Sequence, residues 1–442
     1  MGRMPAEYIT GDLPPTAQRI LAAAQRVLMR DGYAGLTLQR IADEAGVNKS
    51  LVTYHLESKA TLMAMLVDSL WHDVDVELFR TVQKLPLLSE LRIGALIDAH
   101  RRLGHLTDQQ RMYVDLFANL TRTPATRRRM GALNDLYRDL GRRCLGATGL
   151  EGAGLLALAS LLIAVGDGMG VARLVRADEI DDADVYALLE SMVISLTRGT
   201  SLGPDGTPRE SADRDGVAGR SPHTNRIDEH TAALGPSPVA ELTPPARKLV
   251  RGAQRVLRKR GFQALTLEAV GREARASSSA ITYYFGDKQG LITALIRMQF
   301  YDQRKVAARI LGASGAGHDC TIAAICATRE LLADKIGFRA YFDLLPIVTR
   351  EPGFRTMQAE HDRWLARLIA AGLRGSGDPA VAAHADLLAI LEIAAADGLA
   401  MQALSDPSGF DPQPSCAMLE HLINRHTPSV TTTSPQRFAG AG

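Results

Sequence analysis

"LTLQRIADEAGVNKSLVTYHL", residues 36–56, decides how the chain is read. Thr37 stands directly before "LQRIADEA", where its hydroxyl can satisfy a free amide at a helix start. Leu38, Ile41, Ala42 and Ala45 recur at helical spacing on one face. Gly46 suits the left-handed backbone that ends a helix. Asn48 caps a second helix, "KSLVTYHL", and Ser58 a third that begins "KATLMAML". Two short helices around a tight turn have helix-turn-helix geometry, in which the second helix enters the DNA major groove. Lys49, Ser50, Thr53, Tyr54 and His55 are polar and avoid the face that Val52 and Leu56 give to the core. Lys59 falls at a helix start, where amides and a cation together make a phosphate site.

The pattern recurs 229 positions later as "LTLEAVGREARASSSAITYYF", residues 265–285. The helix before it agrees better still: "AQRVLMRDGYAGLTL" (24–38) and "AQRVLRKRGFQALTL" (253–267) share nine of fifteen residues. Beyond the readers, "LTRTPATRRRM" (120–130) parallels "VTREPGFRTMQ" (348–358), and "IAVGDGM" (163–169) parallels "IAAADGL" (393–399). The duplication therefore covers whole domains, and a chain of 442 residues is too long for one ordinary core. Apolar residues keep a helical period in both halves, and strand-like alternation is nearly absent, so the predicted fold is all-α.

Residues 199–242 are rich in Gly, Pro, Ser and charge, which predicts a flexible linker, and the ends, 1–14 and 427–442, read as disordered. The expected boundaries are 14–60 and 243–289 for the two helix-turn-helix domains and 61–198 and 290–426 for the helical domains that follow them.

The net charge of +2 names no partner, but its distribution is uneven. Residues 14–70 carry six Lys and Arg against five Asp and Glu; residues 243–300 carry eleven against three. Arg247, Lys248, Arg251, Arg255, Arg258, Lys259 and Arg260 crowd one helix, a stripe that suits phosphates. Cys144, Cys320, Cys326 and Cys416 have no disulfide or zinc spacing and read as buried thiols of a cytoplasmic protein. The run "LLALASLLIAV" (155–165) is too short for a bilayer and reads as a buried helix, so no membrane partner is expected. No G-x-S-x-G, phosphate loop or metal spacing stands out; His100/His105 and His421/His426 are the only close histidine pairs. Neither catalysis nor a cofactor is expected.

"LTLQRIADEAGVNKSLVTYHLESKATL" and "LTLEAVGREARASSSAITYYFGDKQGL" resemble the TetR family of bacterial transcriptional regulators. The resemblance spans about 50 residues in each half and includes the pairs Gly32-Tyr33 and Gly261-Phe262. It implies two consecutive units, each a three-helix reader followed by a helical domain for ligand binding and dimerisation. It also implies phosphate contacts for Thr37, Thr266, Lys59 and Lys288, and base-facing positions for Asn48, Lys49, Ser50, Ser277, Ser278 and Ser279. The second copy presents Thr282, Tyr283 and Tyr284 beside them. Two departures stand out: the family's usual aromatic is Thr53 or Thr282 here, with Tyr54 or Tyr283 following, and Arg275 replaces the turn glycine as a further phosphate contact.

By the same resemblance, the partner is double-stranded DNA and the later helices enclose an effector. Candidate cavity residues are Trp71, His100, Met112, Tyr113 and Phe117 in the first half, and Phe338, Tyr341, Phe342, Met357 and Trp364 in the second. Their apolar character predicts a small hydrophobic effector. The segments 154–175 and 184–196 are expected to pack on 382–404 and 416–425, giving a pseudo-dimer within one chain; a homodimer is the other assembly. The function expected is a ligand-responsive repressor reading an asymmetric operator. The competing classes are a non-regulatory architectural DNA binder and an all-α enzyme.

Overall fold

The computed structural model describes residues 13–56, 61–63, 65–69, 84–86, 89–122, 124–176, 179–198, 234–313, 329–330 and 332–428. The expected linker up to 233 and most of both tails lie outside them, as do Lys59, Trp71, Cys320 and Cys326. Among the described residues, α-helices and short 3-10 turns are the only regular structure.

The first unit begins with α1 (Pro15–Gly35), α2 (Leu38–Ala45) and α3 (Lys49–Leu56), followed by α4, helical at 61–63 and 65–69. Its second part comprises α5 (Glu90–Gly104), α6 (Thr107–Leu120), α7 (Pro124–Cys144), α8 (Gly152–Arg176) and α9 (Asp182–Ser195). The second unit repeats the reader as α10 (Pro244–Arg260), α11 (Leu267–Ala274) and α12 (Ser278–Phe285), continuing into α13 (Lys288–Ala313). There follow α14 (Lys335–Arg350), α15 (Pro352–Arg374), the short α16 (Pro379–Ala383), α17 (Ala385–Ser405) and α18 (Gln413–His426). Residues 234–242, expected to be linker, form turns instead. Leu234, Val239 and Leu242 pack on the core, and the Arg247 guanidinium donates to the carbonyls of Val239, Ala240 and Leu242 at 3.0–3.2 Å.

The two units meet along their last two helices, α8 and α9 against α17 and α18. Both α8 and α17 are long and apolar enough to cross a membrane, yet most of their surface is buried inside the protein. Their crossing is unusually close. A Cβ built on Gly168 would overlap the carbonyl oxygen of Ala394, and one on Gly398 would overlap that of Ala164. These are the glycines of the repeated "GDG" and "ADG", so the contact is reciprocal, as two-fold-related surfaces must be. Cross-unit hydrogen bonds flank it: Gln402 Nε2 donates to Ser160 O at 2.9 Å and Ser415 Oγ to Ala157 O at 3.1 Å.

A second contact lies nearer the readers, where α6 packs on α14 and Phe117 meets Phe342 edge-on at 5.2 Å. Sequence reasoning put both rings in ligand cavities; packing uses them to join the units. Cys144 and Cys416 are buried free thiols, each pushed by burial up to about 11.

Candidate nucleic-acid interface

Each reader is built from local signals that the chain carries twice. Thr37 Oγ1 accepts from Arg40 N at 3.3 Å, and Thr266 Oγ1 from Ala269 N at 3.1 Å, so α2 and α11 start on hydroxyl caps. Asn48 Oδ1 caps α3 through Leu51 N at 3.0 Å, and Ser277 Oγ caps α12 through Ala280 N at 3.3 Å. Val52 and Leu56, and in the second copy Ile281, anchor α3 and α12 in the core.

What these anchors leave outside are the residues expected to face DNA. Asn48, Lys49, Ser50, Thr53 and Tyr54 are exposed and His55 is half-buried; Ser277, Ser278, Ser279, Thr282, Tyr283 and Tyr284 are exposed. Tyr54 and Tyr283 are 77% and 82% exposed, although a phenol ring normally finds cover. Each leans edge-on against its neighbour, Tyr54 on His55 at 5.1 Å and Tyr283 on Tyr284 at 4.9 Å. Thr37, Thr266 and Arg275 are exposed as well. Lys288 opens α13, with its Nζ 5.5 Å from the centre of the Phe262 ring. Among the described residues, Arg275 alone of the non-glycines has positive φ, +49°, at the place Gly46 holds with +62°. Removing that strain, Arg275→Gly should stabilise the second reader by up to roughly 1 kcal/mol, read as a higher urea midpoint. A lowered midpoint would show that the arginine side chain holds the turn by a contact of its own.

The basic stripe of α10 is partly spent within the protein. Arg255 Nε pairs with Glu273 at 2.8 Å and Lys259 Nζ approaches it at 3.9 Å, while Arg258 reaches Asp334 at 3.5 Å. The first reader has the same brace in Arg26 and Arg30 on Glu44. The pairs on Glu273 and Glu44 strap the first helix of each reader to its second, and Arg258–Asp334 ties α10 to the start of α14. With Arg247 holding the preceding turns, Lys248, Arg251 and Arg260 remain of the seven as the candidates for phosphate.

Reader position is set by the opposite unit. Arg350, at the end of α14, is ion-paired with the buried Asp115 of α6 and donates to Leu28 O and Met29 O, both at 3.2 Å. Those carbonyls belong to the last turn of α1 before Gly32 breaks it with φ +67°, so a cation caps that end. A Cβ on Gly32 would lie 3.2 Å from Arg350 Nε. The exchange is mirrored: Arg122, two residues past the end of α6, pairs with the buried Asp343 of α14 and lies against Gly261, φ +84°. Burial pushes Asp343 up to about 6 despite Arg122 beside it, and raises Asp115 likewise despite Arg350. A cleft of about 190 Å³ between the readers is lined by Tyr33, Phe262, Asp115 and Asp343, among others. Sequence reasoning missed this exchange, although "D…TR" stands in both copies, at 115–122 and 343–350.

The profile of bacterial regulatory proteins of the tetR family matches residues 20–66 and 249–295, the two readers and the helix that leaves each. The chain carries two TetR-family DNA-binding domains in tandem. Among solved structures, a transcriptional regulator from Rhodococcus sp. Rha1 is 20% identical, covering 42% of this chain and 96% of its own, with TM-score 0.36. A TetR-like transcriptional regulator from Rhodococcus sp. RHA1 is 19% identical, covering 41% and 94%, with TM-score 0.32. No curated protein matches this sequence.

Behind the first TetR-family domain, a cavity of about 30 Å³ is lined by His100, Leu103, Gln110, Tyr113, Met130, Leu133, Asn134, Tyr137, Ile163, Gly166 and Asp167. It includes His100 and Tyr113 of the expected set; Met112 is plain core beside it. In the second unit Phe338 and Tyr341 pack edge-on at 6.3 Å, Met357 is partly buried against the core, and Trp364 lies under the Arg304 guanidinium at 5.3 Å. His421 and His426 approach to 3.3 Å between Nε2 atoms, but no cluster of three metal-ligating side chains exists among the described residues.

Proposed function

We propose that this chain is a transcriptional repressor that reads an asymmetric operator with two different recognition helices and releases it on binding a small, largely apolar effector. The observation that carries this reading is the contrast between copies. The readers share caps and core, yet α3 offers Asn48-Lys49-Ser50 and α12 offers Ser277-Ser278-Ser279. A homodimer repeats one recognition helix and so prefers a symmetric site; two helices in one chain are free to differ. Lysine suits guanine acceptors, whereas serine discriminates less, so the second half-site leans on phosphate contacts.

The reciprocal packing of α8 and α9 on α17 and α18 supports a single-chain pseudo-dimer. The effector reading is supported by a continuous route from the cavity to the reader. Met130 and Leu133 of α7 line the cavity, the adjacent Arg129 is ion-paired with Asp68 of α4, and Gln25 of α1 donates to Ser69 at 2.9 Å.

The test is selection from random duplexes with the whole chain, together with native mass. The expected consensus is an imperfect palindrome bound by a species of 47.7 kDa. Ser277→Asn with Ser278→Lys should make the consensus more symmetric. A perfect palindrome preferred by the natural chain would overturn the asymmetric reading, and a species of twice the mass the single-chain one. Binding without sequence preference would favour the architectural class.

A further inference from the structure

The first unit's cavity has an unusual balance of hydrogen-bonding groups. His100 Nδ1 lies 2.8 Å from Leu96 O, and since a carbonyl only accepts, that nitrogen carries the proton. Burial holds the imidazole below its usual range and so neutral, leaving Nε2 a bare acceptor. Gln110 Oε1 is fully buried without a hydrogen-bond donor. Asp167, on α8, borders the same space, and among the described residues no side chain donates to it or pairs with it. Three acceptors, one of them the carboxylate of Asp167, thus converge on one cavity from α5, α6 and α8, whose wall also brings the hydroxyls of Tyr113 and Tyr137 and the amide of Asn134. A buried acceptor left unmet is destabilising, more so when charged.

In the second unit the matching carboxyl has a donor within the protein. Asp397 is the counterpart of Asp167, and Tyr341 Oη donates to it at 3.4 Å. His361 Nδ1 accepts from Arg304 Nε at 3.2 Å, and that guanidinium also covers Trp364. The first unit keeps a tyrosine at the matching place, Tyr113, but the wall of its cavity carries no lysine or arginine.

We propose that the first unit's cavity binds the primary ammonium group of an amine with an apolar body, Asp167 acting as its counter-ion. This rests on the effector reading above and names the effector's chemistry. An –NH₃⁺ group has three donors for the three acceptors. A volume of about 30 Å³ suits such a head, since a water-sized group needs only about 10–15 Å³. The body falls to the neighbouring Leu103, Met130, Leu133 and Ile163, which must part to admit it. That movement of α7 against α8 gives the amine different affinities for two states of the protein, without which no ligand shifts an equilibrium. Titration supports the assignment: with no partner, Asp167 is pushed by burial up to about 7, so an arriving ammonium displaces a proton. The other ionisable groups around it are His100, Tyr113, Tyr137 and, from α9, Tyr186, whose hydroxyl burial pushes higher still.

The probe is n-hexylamine, compared with 1-hexanol and hexyltrimethylammonium, in thermal melts of the full chain at pH 7. Hexylamine is expected to raise Tm saturably; the alcohol, without the charge, and the quaternary ion, without donors, are not. Asp167→Asn should abolish the shift. In the natural chain, calorimetry near pH 6.5 in two buffers of different ionisation enthalpy should register proton release on hexylamine binding, a readout that needs no variant to fold. Equal shifts from all three compounds, no shift with hexylamine, or binding without proton release would each overturn the proposal. DNA release separates the two readings. Hexylamine that binds but leaves the operator complex intact refutes the effector role and spares the amine site; release by some other metabolite, with hexylamine inert, does the reverse.

Discussion

Gly398→Ala is expected to cost the chain about 3 kcal/mol, read as a lower urea midpoint at unchanged slope. Overpacking a core typically costs about 1–3 kcal/mol. The upper end applies because the added methyl meets the Ala164 backbone carbonyl, which cannot rotate aside as a side chain would. Helix propensity, which favours alanine by about 1 kcal/mol, works in the opposite direction and is outweighed. Gly353, in α15, has nothing within 4 Å of an added Cβ, so Gly353→Ala should leave the midpoint unchanged or raise it slightly. Gly168→Ala should match Gly398→Ala, since the crossing is reciprocal. The double variant should lose less than the sum, because one widening of the α8–α17 contact relieves both clashes. Additive losses would show two independent sites and argue against a rigid crossing.

That crossing also marks what was legible in the sequence. The readers were, because their determinants are local: Thr37, Asn48 and Ser277 lie within three residues of the amides they cap, and Val52 and Leu56 follow the helical period. The pairing of the last helices came from the family resemblance and not from any local signal. What escaped were contacts between distant positions. Nothing local marks Arg122 and Arg350; their roles arise only where α6 and α14 meet and each finds the other unit's buried aspartate. Phe117 and Phe342 look like cavity walls for the same reason: composition marks an aromatic as buried without saying against what. The stripe on α10 was misleading in the opposite sense, since Arg255 and Lys259 share Glu273, which lies too far along the chain for a helical pattern to reveal. Polar lining around Asp167 is likewise a tertiary fact, assembled from four helices.

A buried carboxyl should make the protein lose stability as pH rises through neutrality, and Glu392→Leu should remove most of that loss. Glu392 of α17 is wholly buried, neither carboxylate oxygen has a partner, and burial pushes it up to about 8 from an ordinary 4.5. The folded-state value is raised, so for this acid stability is greatest below the ordinary value and falls as pH climbs towards about 8. At 1.36 kcal/mol per pKa unit, that is on the order of 5 kcal/mol across the window. Asp167, at about 7, and Asp343 and Asp362, each at about 6, act in the same sense over shorter ranges. The histidines oppose them only on the acid side. His100, His361, His421 and His426 are all held below 6.5, chiefly by burial, so stability falls as pH drops beneath that value and the unfolded chain takes up protons. Between pH 6.5 and 8 the acids therefore act unopposed, and the buried thiols and phenols, held at about 11 and above, do not yet titrate. The natural chain should melt progressively lower across that interval. The first unit has Leu162 at the matching place in "LLIAVGDG", against "LEIAAADG" in the second, so leucine is a side chain this packing already accepts. Glu392→Leu should melt higher than the natural chain at pH 8, by a margin that shrinks towards pH 5, because leucine has no proton that unfolding would release. A constant difference between variant and natural chain from pH 5 to 8 would mean that Glu392 does not change its proton on folding and that its carboxylate has found a partner.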